Sequence, residues 1–192
     1  MTCKPIEAVK EQVIGIVPSY EETGDLTRIL LEEGEHFWEK RSVGTIIKAL
    51  ARCYLVDLKE QKGRLQDFFQ RRKLLPFYLS NSRVFIPVKV RKALIKNDAC
   101  YGYINWRYVE SITKQDSGGT VIKMRHNLVL NSLSSTTQLI QQLHMGRQLF
   151  DYLQQSSGEN PSGEKLLLEA ARLLAGSLDL LHIGLEKLGK NG

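Results

Sequence analysis

The residues best placed to do chemistry in this chain are its cations. Residues 40–130 hold nineteen lysines and arginines against six aspartates and glutamates, a net charge of +13. Arg71, Arg72 and Lys73 form one cluster, and Lys89, Arg91, Lys92 and Lys96 form a second. Arg107, Lys114, Lys123 and Arg125 are spread along the stretch that follows. A lysine or arginine beside a phosphate releases condensed counterions, so a surface of this kind suits a polyanion, nucleic acid above all. Residues 1–39 carry three basic and nine acidic residues, and residues 131–192 carry five and six. Solubility alone does not require such segregation. The other reading of the same charges is a set of solvated helix and strand faces that happen to be basic. Tyr101, Tyr103, Trp106 and Tyr108 interleave with the cations. They offer either stacking platforms for unpaired bases or ordinary sheet packing.

Other chemistries find little support. No glycine-rich phosphate loop lies between a strand and a helix, and neither Gly-x-Ser-x-Gly nor His-Glu-x-x-His occurs. His126 beside Arg125 is the one candidate general base, but a lone histidine in a turn is normally solvated. Cys53 and Cys100 sit among apolar and aromatic residues, as core thiols do. With Cys3 they are odd in number and widely spaced, and His36, His126, His144 and His182 are scattered. The sequence therefore predicts no disulfide framework, no metal, no cofactor and no enzyme activity, in a reducing cytoplasm. Met1 to Lys10 lack an apolar signal core, and Glu169, Arg172 and Asp179 interrupt the most apolar stretch near the C-terminus. No membrane span is expected.

The elements that must position the cations follow from periodicity. Val13 to Val17 reads as a strand stopped by Pro18, and Leu26 to Leu31 as a second. Val43, Ile47, Leu50, Tyr54, Leu58, Leu65 and Phe68 recur at helical spacing with a gap at Gln61. One or two amphipathic helices are expected there, interrupted near Gly63. Residues 77–131 read as antiparallel sheet, with turns at Ser80 to Arg83, Asp116 to Gly119 and Arg125 to Asn127. Pro87 places its strand at an edge or a bulge. Lys89 to Asp98 reads as a flexible basic arm between strands, suited to tracking phosphates. Ser135 and Gln138 form a capping box for a helix with Leu139, Leu143, Gly146, Phe150 and Leu153 on its buried face.

The expected architecture is α+β, an antiparallel sheet with a central helix and C-terminal helices. A DNA-binding domain over 1–155 is followed by a linker at 156–163 and a leucine-rich amphipathic tail helix over 164–192. In the tail, Leu167, Leu174, Leu178, Leu181 and Leu185 keep heptad spacing over three repeats. Such a face either pairs with its copy in a second chain, giving a homo-oligomer, or folds back on the domain. Sedimentation of the full chain against one ending at Ser157 distinguishes the two. Pairing predicts that the shorter chain becomes monomeric; an unchanged oligomeric state excludes it.

An ordered series of short motifs resembles the bacterial competence transcription factor (ComK-like) family. It runs Arg52-Cys53-Tyr54, Arg64, Lys73-Leu74-Leu75-Pro76, Phe85-Ile86-Pro87 and Cys100-Tyr101-Gly102-Tyr103-Ile104, and a hairpin and helix over Tyr108 to Leu153 follow. The likeness covers residues 26–153. It departs from the family at Tyr54-Leu55, where an aromatic-glycine pair is usual, and at Tyr103, where tryptophan is. The resemblance implies a DNA-binding activator of genes for DNA uptake, acting in the nucleoid on double-stranded, A·T-rich sites with minor-groove involvement. Arg71, Arg72, Lys73, Lys89, Arg91, Lys92, Lys96, Arg107, Lys123 and Arg125 are the candidate DNA contacts. The rival reading is a protein-interaction module that works through the leucine-rich tail.

Overall fold

The computed structural model describes residues 6–21, 24–94, 98–115 and 118–156. Lys96, the Asp116-Ser117 turn, linker residues 157–163 and the five tail leucines lie outside the described residues. The chain divides after Leu153, near the end of its last described helix.

Six strands form one antiparallel sheet: β1 (Val13–Glu21), β2 (Gly24–Leu31), β3 (His36–Glu39), β4 (Phe77–Ser80), β5 (Arg83–Lys89) and β6 (Tyr101–Asn105), in the order β3-β2-β1-β6-β5-β4. A second sheet holds β7 (Val109–Lys114), β8 (Thr120–Met124) and β9 (Val129–Ser132) in sequence order. Helices α1 (Val43–Cys53) and α2 (Leu58–Phe69) precede β4, and α3 (Thr136–Ser156) ends the described chain. The predicted α+β class is the one found. Among the described residues, no helix is long and apolar enough to cross a membrane.

Alternation along the strands sorts the core into two layers. Val13, Ile16, Ile29, Leu31 and Phe85 face Val43, Ile46, Leu50 and Ala51 of α1. Ile14, Val17, Leu30, Ile86, Val88 and Ile104 face Ile122 and Met124 of the small sheet and Leu139 of α3. Helix α1 therefore covers one face of the main sheet, and the small sheet with α3 covers the other. β5 is covered on both sides, so Val84 to Val88 are all buried, proline included. Gly146 lets α3 approach closely: a Cβ there would stand 2.8 Å from Ile86 Cγ2 and 3.1 Å from Trp106.

Several expectations are corrected by neighbours the sequence does not reveal. Pro18 does not stop β1, which continues to Glu21. Pro18 lies past Gly15 and Ile16, the residues of β1 in register with β6, and its ring rests beside Gly102 of β6. Pro87 sits in an interior strand, but beyond Phe85, where the pairing with β4 ends. Residues 77–131 split between two sheets at a 3₁₀ turn, Trp106–Tyr108. The helical break falls at Tyr54 to Asp57, and Gly63 lies inside α2.

That break has a defined geometry. Leu55 N donates to Arg52 O and Val56 N to Ala51 O, the paired bonds of a Schellman closure. The closure needs a left-handed residue, and Leu55 supplies it at φ +56°. A side chain in that conformation costs about 1–2 kcal/mol, which is why glycine is usual there. Asp57 then caps α2, accepting Lys59 N at 2.8 Å and Glu60 N at 3.0 Å. At α3 the predicted capping box is present: Ser135 N donates to Gln138 Oε1 and Gln138 N to Ser135 Oγ.

Candidate nucleic-acid interface

The buried faces of α1 and α2 fix which of their residues meet solvent. With Ile46, Leu50 and Ala51 turned to the sheet, Lys48 and Arg52 share an exposed stripe at i,i+4. Gln61 and Leu65 turn inward on α2, leaving Lys59 and Lys62 exposed. The chain leaves α2 through a left-handed Gln70 at φ +49° and enters a loop pinned from both sides. Gln66 Nε2 of α2 donates to Arg72 O, and Gln142 Nε2 of α3 donates to Leu74 O, each at 3.2 Å. Arg72 and Lys73 are thereby held exposed beside the two helices.

These residues line an open groove in two parts, which share Leu58 alone among their lining residues. Its first part, about 590 Å³, is lined by Lys48, Arg52, Leu55, Asp57, Leu58 and Lys59 among others. Its second part, about 350 Å³, shares Leu58 and adds Lys62, Arg72, Lys73, Leu74, Leu75 and Tyr103. Six cations face one carboxylate. That carboxylate, Asp57, is occupied: the Glu60 and Lys59 amides hold it below the usual carboxylate range. Burial pushes the Tyr103 phenol up, so it stays protonated in the groove wall at neutral pH.

The cations of the groove differ from three arginines that the N-terminal acids reach. Arg41 pairs with Glu7 and Glu39, Arg83 with Glu11, and Arg91 with Asp25. The acidic N-terminal stretch thus neutralises part of the basic middle from within the fold. None of Lys48, Arg52, Lys59, Lys62, Arg72 and Lys73 forms an ion pair among the described residues. Charge is left over at the α1–α2 corner.

The predicted contact residues do not form one surface. Arg72 and Lys73 line the groove, while Arg71 Nη1 turns to α3 and lies 3.6 Å from Met145 Sδ. Arg107 is exposed on the 3₁₀ turn, its guanidinium 5.2 Å from the centre of the Phe150 ring. Lys123 and Arg125 point outward from the small sheet, across the main sheet from α1. Lys89 is half-buried at the end of β5, its carbonyl accepting Leu133 N and Ser132 Oγ. Lys92 is exposed nearby.

Arg91 has a different occupation. It is only 9% exposed, with Nη1 2.7 Å from Asp25 Oδ1 and Nε donating to Ala99 O at 2.7 Å. Its guanidinium lies 3.8 Å from the centre of the Tyr20 ring. Asp98 accepts from Tyr20 Oη and from Leu94 N. The expected flexible arm is, in its described part, fastened to the body through Arg91, which leaves that residue no open face for a phosphate. The aromatics are similarly engaged: Tyr103 packs edge-on against Phe77, Trp106 meets Phe150, and Tyr108 donates to Glu32.

Lys48, Arg52, Lys59 and Lys62 were not among the DNA contacts expected from the sequence, although Arg52 belongs to the motif series. Their signal was available, since Lys48 and Arg52 recur at i,i+4 on the side of α1 away from its apolar row, and Lys59 and Lys62 at i,i+3 beside the apolar row of α2. No family model, curated protein or solved structure matches the chain.

Proposed function

We propose that this protein is a duplex-DNA-binding transcriptional regulator that holds phosphates along the α1–α2 corner. The observation that carries this reading is the groove itself, where six cations without an ion pair among the described residues meet a single carboxylate already committed to two backbone amides. The segregation of charge along the sequence supports it. So does the ordered motif series resembling the competence transcription factors, which points to activation at A·T-rich sites in the nucleoid. Phosphate contacts fix position, and an A·T-rich minor groove, narrow and strongly negative, attracts lysine and arginine.

The test is competition between A·T-rich and G·C-rich duplexes of equal length at about 50 and 200 mM salt, the range over which several phosphate contacts change affinity by orders of magnitude. The expected result is steep salt dependence and at least tenfold preference for A·T. Equal competition with a steep slope would leave a non-specific DNA binder and remove the regulator. A flat salt response would remove DNA and return the function to the tail-mediated interaction module.

A further inference from the structure

Leu55 stands at the tip of the corner, where the Schellman closure of α1 turns the chain toward α2. Two properties of this residue conflict with a purely structural role. Its backbone is left-handed at φ +56°, a conformation that disfavours any side chain. Its side chain is 95% exposed, so no burial offsets that strain. The other left-handed non-glycine residues are accounted for differently. Gln70, His126 and Asn127 are polar turn residues, and Leu74 sits in a loop whose carbonyl Gln142 holds. Val56, next in the chain, does pack into the core, so the turn needs the Leu55 backbone but not its side chain.

What surrounds Leu55 indicates a ligand. Lys48, Arg52 and Lys59 line the same part of the groove, and Asp57, its one acid, accepts two backbone amides. A lone projecting leucine ringed by cations matches a duplex in two respects: phosphates meet the charges, and an apolar tip can enter between stacked bases. We propose that Leu55 is a wedge that separates one base step of bound DNA while Lys48, Arg52 and Lys59 hold the flanking phosphates. This inference rests on the reading of the corner as a DNA surface and adds the residue that deforms the duplex.

The experiment uses the full chain and an A·T-rich duplex with 2-aminopurine placed at each adenine in turn, a base whose fluorescence rises when it unstacks. The wild type should raise fluorescence at one step. Leu55→Gly should abolish that rise and weaken binding about tenfold with an unchanged salt slope. Because glycine suits the left-handed position, the same variant should melt no lower than the wild type. Wild-type binding with a steep salt slope but no fluorescence change at any position overturns the wedge and leaves DNA binding standing. So does a Leu55→Gly protein that keeps the signal, or one whose salt slope falls, which would make the leucine an organiser of the cations. Salt-independent or undetectable binding overturns both readings together. Sedimentation of the two proteins without DNA completes the test: equal states are expected, and a change in oligomeric state with Leu55→Gly would assign the leucine to a second copy of the chain.

Discussion

Changing Lys48, Arg52, Arg72 and Lys73 together to alanine lowers affinity for duplex DNA by about three orders of magnitude at about 0.1 M salt. The estimate comes from counterion release. Each phosphate contact contributes about 0.9 to the slope of log affinity against log salt, so four contacts flatten it by about 3.6. All four side chains are exposed, and none is in an ion pair among the described residues. The two bonds that order the loop use the Arg72 and Leu74 carbonyls, which alanine at 72 retains. Melting should therefore be nearly unchanged, and the loss is one of binding. Alanine at Lys92, Lys123 and Arg125 is the comparison, three cations against four, because they lie just past β5 and on the outer face of the small sheet. Their removal should leave most of the slope intact. If the second set flattens the slope and the first does not, the interface is the small sheet and the corner is inert.

The sequence conveyed local chemistry well and spatial neighbours poorly. The capping box at Ser135 and Gln138 was legible because two side chains three residues apart satisfy each other's backbone groups, without help from the rest of the fold. The hairpin at Ser80 to Arg83 was legible for a similar reason. Pro18 and Pro87 were misjudged because the cost of a missing N–H depends on which strand lies alongside, and pairing partners are set over long range. The described part of the arm was misjudged because Arg91 finds Asp25 and the Tyr20 ring some seventy residues earlier in the chain. The candidate site was half legible. Arg72 and Lys73 announced themselves as consecutive charges, whereas Lys48, Arg52, Lys59 and Lys62 gather only when two helices meet at a corner. The departure from aromatic-glycine at Tyr54-Leu55 falls on the residue whose backbone is left-handed.

Gln61→Leu should destabilise the fold by about 2 kcal/mol, although it completes the apolar row of α2. The gap at Gln61 in the helical repeat reads as a flaw that leucine would mend, and burying its side chain would gain about 1.5–3 kcal/mol. The structure gives the position another task. Gln61 is buried, and its amide forms both bonds that a neighbouring strand would make: Nε2 donates to Tyr78 O at 2.8 Å, and Tyr78 N donates to Oε1 at 3.1 Å. β4 is an edge strand, and this side chain closes its outer edge. Leucine would leave a donor and an acceptor unsatisfied at about 1–3 kcal/mol each, which exceeds the apolar gain. Thermal melting should fall by about 4–8 °C for a domain of this size. The uncovered edge should also favour association between chains. Gln61→Glu separates hydrogen bonding from packing. Its protonated carboxyl can donate to Tyr78 O and accept from Tyr78 N, whereas the carboxylate can only accept. Its folded-state pKa is therefore raised, so its contribution is fully present below the ordinary carboxyl pKa of about 4.3 and is lost as pH rises through the folded value. The glutamate variant should approach wild-type stability at low pH and fall behind it at neutral pH, while the leucine variant trails at both. A leucine variant that melts at or above the wild type would show that the helix row, rather than the strand edge, sets the demand at this position.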